Sequence, residues 1–76
     1  MVHVAAMDST TSGRIKEARQ RAKLSLHRLA VKAEVTPHTV IAWEKGTREP
    51  RGDELRAIAD ACGVDAGWLL TGEGAA

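Results

Sequence analysis

The chain has 76 residues, 43% hydrophobic and 28% charged, with a formal net charge of +1, two Trp and no Tyr or Phe. That length holds one small domain with a marginal core, and no apolar run approaches the roughly 18 residues of a membrane span. A single cysteine, Cys62, excludes an internal disulfide and a multi-cysteine zinc site.

The start, MVHVAAMDSTTS, has no basic region followed by a long apolar run, so no signal peptide and a cytoplasmic location are expected. Residues 1–11 lack periodicity and read as a flexible arm. From Ser12 to Lys23, Ile15, Ala18, Arg19 and Ala22 recur at helical spacing and predict a first helix. Leu24-Ser25 breaks it. Ser25 then caps a second helix, Leu26 to Ala33, with Leu29, Ala30 and Ala33 inward. Glu34-Val35-Thr36 is a turn.

Thr36 as N-cap, Pro37 at the first helical position and Gly46 just past the end bound a third helix over 37–45. Val40 and Trp43 share its inward face. His38, Ile41, Ala42 and Lys45 then point outward, with Pro37 at the tip. TREPRG is a loop marked by Pro50 and Gly52. A fourth helix, Asp53 to Cys62, sets Leu55, Ile58, Ala59 and Cys62 on one side and opens with acidic residues, as the helix dipole favours. Cys62 reads as a small core residue. Gly63 ends this helix, and Asp65 caps a short fifth carrying Trp68, Leu69 and Leu70. No strand alternation and no internal repeat are present. The expectation is an all-α, compact five-helix domain over 12–73, with residues 74–76 as a tail.

The net charge conceals an asymmetry. Residues 14–32 hold seven Lys or Arg against Glu17, or +6, while residues 53–76 hold Arg56 against five carboxylates, or −4. Such a division presents one face to a polyanion and keeps the other away from it. Chemistry of other kinds finds no support. His3, His27 and His38 lack a second ligand at metal spacing, and no nucleophile lies beside a base. TGEG has no preceding strand or following helix to make a phosphate loop. No catalysis, cofactor, metal or small-molecule substrate is expected.

GRIKEARQRAKLS, Leu29-Ala30, the pattern V-T-x-x-T-V-x-x-W-E-x-G from Val35 to Gly46, R-x-P at Arg48–Pro50, and LRAIADACGVDAGWLLTGE occur in that order and at family intervals. With these the chain resembles the Cro/C1-type (XRE-like) helix-turn-helix family of phage and bacterial repressors over about Gly13 to Glu73. The resemblance implies a lambda-repressor-like domain whose third helix lies in the major groove of double-stranded DNA. It makes Pro37, His38, Ile41 and Ala42 base-facing, with Thr39 and Lys45 nearer the phosphates. Arg48 matches the family's backbone-contacting loop, with Thr47 and Arg51 beside it. Arg19 and Glu44 match an internal ion pair that braces the third helix.

The chain departs from the family at Leu26, His27 and Arg28, where members commonly carry Gln and, two residues on, Glu. The reciprocal half of a capping box is lost, and Arg28 lies against the positive helix end. A phosphate alongside reverses that penalty, so His27 and Arg28 join the phosphate candidates. Arg51 stands where a Ser-like N-cap is usual and weakens that cap. On the reading face, His38 can bond a purine N7 or guanine O6, and Ile41, Ala42 and Pro37 can meet thymine methyls. No Arg, Asn or Gln is present there for bidentate readout, so shape and phosphate contacts carry more of the specificity. A homodimer on a two-fold operator would use Trp68, Leu69 and Leu70, which otherwise belong to the core. The alternative is a protein-interaction module, antirepressor- or antitoxin-like, whose third helix no longer reads bases.

Overall fold

The computed structural model describes residues 10–74. Five helices and no strand are present among the described residues: α1 (Thr11–Arg21), α2 (Leu26–Ala33), α3 (Pro37–Lys45), α4 (Gly52–Cys62) and α5 (Ala66–Thr71). The fold is the all-α, five-helix arrangement expected, and among the described residues no helix is long and apolar enough to cross a membrane.

Local chemistry sets nearly every boundary. The hydroxyls of Thr10, Ser25 and Thr36 and the carboxylate of Asp65 each accept from a backbone N–H three residues on, capping α1, α2, α3 and α5. Gly46, Gly63 and Gly72 close α3, α4 and α5 in the left-handed region. α1 starts one residue before the sequence reading and ends two earlier, because Lys23 turns to φ +60° and its N–H donates back to the Gln20 carbonyl. Thr10 and Thr11, which the sequence reading gave to the arm, are the cap and first residue of α1. The rest of that arm, His3 included, and tail residues 75–76 lie outside the described residues.

α4 is capped in a way that the sequence reading did not anticipate. A guanidinium has no acceptor, so the Arg51 side chain caps nothing. Instead the Glu54 carboxylate, at N3, accepts from the Arg51 N–H at 2.9 Å. This is the back-reaching half of a capping box, and it satisfies one of the orphan donors of the first turn.

α2 packs on α3 and α4, while α1 packs on α3, α4 and α5. Between them Ile15, Leu29, Val40, Trp43, Ile58 and Leu69 are fully buried, so each helix contributes at least one core anchor. Trp68 joins this core, but Leu70 does not: it is 57% exposed. Cys62 is half-buried at the edge of the core. Burial pushes its thiol up, which keeps it neutral and makes it a small apolar residue rather than a nucleophile.

Candidate nucleic-acid interface

α3 is held by two buried side chains, Val40 and Trp43. Three apart on a helix, they leave the opposite face to solvent. Pro37, His38 and Lys45 are exposed, whereas Ile41 and Ala42 are half-covered by neighbouring turns. The His38 ring makes no hydrogen bond within the described residues, so its donor and acceptor are both available. Thr39 is less free than expected, since its hydroxyl lies 3.0 Å from that of Thr36 inside the N-cap. At the other end, Gly46 adopts φ +81°, and the Thr47 N–H donates to the Ala42 carbonyl at 3.0 Å. The Thr47 hydroxyl shares that acceptor at 3.3 Å. A Cβ at position 46 would be strained there and would sit 3.5 Å from the Ser12 Oγ.

The orientation of α3 is fixed from α1. Arg19 Nε donates to Glu44 Oε2 at 2.6 Å and Nη2 to Oε1 at 3.1 Å, a two-point fork, while Nη1 donates to the Leu24 carbonyl at 2.9 Å. The two side chains are only 13% and 9% exposed. A planar fork in a largely dry setting specifies direction as well as distance. Leu24 belongs to the short link into α2, so one guanidinium ties together all three helices that build the reading surface.

The cations divide into two kinds. Arg48 donates to Glu54 Oε2 at 3.0 Å, and Arg51 reaches Asp53 Oδ2 at 3.3 Å and Glu54 Oε2 at 3.7 Å. The direct hydrogen bond from Arg51 holds the Asp53 carboxyl below its ordinary range, so both groups stay charged. Arg21 pairs with Glu17. Among the described residues, by contrast, Lys16, Arg28 and Lys45 have no ion-pair partner, and His27 is exposed beside Arg28. The Arg28 backbone N–H donates to Ser25 Oγ at 3.0 Å, so Arg28 belongs to the first turn of α2.

A helix-turn-helix family model matches residues 15–69. The chain belongs to this helix-turn-helix family, of the Cro/C1 type. Its fold is similar to that of the phage P22 c2 repressor solved in complex with a synthetic operator in the presence of Tl+. The two share 26% identity over 84% of this chain and 97% of that one, at a TM-score of 0.79. The DNA-binding domain of the P22 c2 repressor in solution is equally similar, at 27% identity, 83% of each chain and a TM-score of 0.79. A third similar structure is an FeII HppE in complex with substrate, at 31% identity and a TM-score of 0.74. It covers 87% of this chain but 38% of that longer one. No curated protein sequence matches the chain.

Two residues of this helix-turn-helix domain carry weight that the sequence reading did not assign. Arg14, counted there among the surface charges, is buried. Its Nε donates to the Leu69 carbonyl at 2.9 Å and its Nη2 to the Leu70 carbonyl at 3.0 Å, so it ties off the C-terminal carbonyls of α5. Gly72 sits so close that a Cβ there would lie 2.8 Å from Arg14 Nη1. Glu54, the second, is the nearly buried carboxylate around which Arg48 and Arg51 are gathered. Glu three residues after the N-cap position was the sequence signal for Glu54. Arg14 had no comparable local signal, because its partners lie 55 and 56 residues away.

Proposed function

We propose that the chain is a sequence-specific regulator of transcription that binds double-stranded DNA. In this reading it is a repressor of the phage Cro or immunity-repressor kind, and it lays α3 in the major groove. The observation that carries this reading is the outer face of α3: exposed at Pro37, His38 and Lys45, without a hydrogen bond from the His38 ring among the described residues, and held in one orientation by the buried Arg19–Glu44 fork. Pro37, His38, Ile41 and Ala42 meet base edges, with His38 at a purine acceptor. His27, Arg28 and Lys45 take phosphates directly, since among the described residues their side chains have no ion-pair partner. Thr39, Thr47, Arg48 and Arg51 serve phosphates from positions where they also hold the ends of α3 and α4, which preorganises them. The operator-bound P22 c2 repressor supports DNA as the partner. A homodimer on a two-fold operator would supply the affinity that one short helix lacks, and the exposed Leu70 is the apolar residue of α5 open to a second copy.

The test uses duplexes selected from random DNA, followed by gel retardation at low salt. Replacing His38 by Ala is expected to cost about tenfold in discrimination between selected and random duplexes, with little change in affinity for the latter. The variant Arg28→Ala is expected to weaken both alike. Both positions are exposed, so a matched unfolding midpoint separates lost contact from lost fold. Failure of the unaltered protein to retard any duplex would sink the reading in favour of a protein-interaction module.

A further inference from the structure

Leu26, the first residue of α2, and Ile41, on the outer half of α3, line one cleft of about 200 Å³ with Lys16, Glu44 and Lys45. Its lining is mostly apolar although it opens on the proposed DNA-facing side. Glu44 adds no free negative charge, because its two oxygens are taken by the Arg19 fork. Lys16 and Lys45, both without ion-pair partners among the described residues, leave the mouth positive.

We propose that this cleft selects thymine by seating its 5-methyl group between Leu26 and Ile41, while Lys16 and Lys45 meet the flanking phosphates. Base selection is then shared between α2 and α3 instead of resting on α3 alone. The proposal depends on α3 lying in the major groove, where the thymine methyl is the apolar group that a duplex presents. Size and charge choose the occupant. The cleft takes a methyl and the edge of its pyrimidine, and it is too small for a docked helix. A paired cationic mouth matches a strand of phosphates better than an apolar protein surface. Leu26 also acquires a role here: without a polar side chain it gives α2 no phosphate contact, and its isobutyl group completes a wall that Ile41 cannot form by itself.

The test replaces each thymine of a selected duplex by deoxyuridine, which removes only the methyl, and measures Kd for the unaltered protein and for Leu26→Ala and Ile41→Ala. At one position per half-site the change is expected to weaken binding about fourfold, the value of one buried methyl. That preference is expected to vanish in both variants, whose folding is checked by unfolding midpoint. Equal affinity for thymine and deoxyuridine at every position overturns the cleft while leaving DNA binding intact. A preference that survives in both variants places the methyl elsewhere and also overturns it. Absence of any retardation overturns the cleft together with the reading beneath it.

Discussion

Glu34 closes α2 with φ +60° and ψ +44°, a left-handed conformation that an L side chain adopts at a cost of about 1–2 kcal/mol. It carries no ion pair among the described residues to offset that cost. Glu34→Gly relieves the strain and loses part of the gain to the greater freedom of glycine in the unfolded chain, about 0.4–1 kcal/mol. The expected result is a net stabilisation of about 0.5–1 kcal/mol, read as a higher urea midpoint with an unchanged m-value. A lower midpoint would show that the Glu34 side chain contributes more than its backbone costs. Position 34 was legible as a turn from its place between two periodic segments. Its left-handed backbone was not, because Glu carries no preference for that conformation.

At the scale of elements, α3 combines a local design with a distant one. Its caps follow from Thr36, Pro37 and Gly46, all within the helix or one residue beyond it. Its direction depends on Arg19, 25 residues before Glu44. Removing one partner of so buried a pair strands the other charge. The variants Glu44→Met and Arg19→Met are therefore each expected to lose about 3 kcal/mol, and the two together to lose distinctly less than the sum. Urea unfolding of the two singles and the double gives the coupling. A double variant as unstable as the sum of the singles would mean that the fork adds nothing beyond packing. The family resemblance pointed to this pair; helical periodicity alone put Arg19 among inward positions without naming a partner.

Across the whole molecule, the +6 of residues 14–32 shrinks where it meets solvent. Arg14 is buried and Arg19 is matched by Glu44 from outside the segment, while the Arg21–Glu17 pair is already counted in the +6. Of that segment, Lys16, Lys23, Arg28 and Lys32 are left without an ion-pair partner among the described residues, and Lys45 of α3 joins them. DNA affinity is accordingly expected to fall with salt at a log–log slope near −0.9 per phosphate neutralised, and Arg28→Ala to make that slope shallower by about 0.9. Retardation titrations at several salt concentrations measure both values. An unchanged slope in Arg28→Ala would remove Arg28 from the interface.

Helix number, the inward faces and most boundaries were determined by the sequence itself. Each rests on a hydrogen bond or an apolar repeat that spans a few residues, and Ser25, Thr36, Gly46, Gly63 and Asp65 act on their immediate neighbours. Tertiary structure decided matters of a different kind. It sent Leu69 into the core and Leu70 to the surface, turned Arg14 into the tie for α5, and engaged Arg48 and Arg51 with Glu54 while leaving Arg28 and Lys45 without an ion pair among the described residues. It also brought Leu26 beside Ile41. The partner of a long side chain depends on which helix packs beside it and at what angle, and neither composition nor period encodes that.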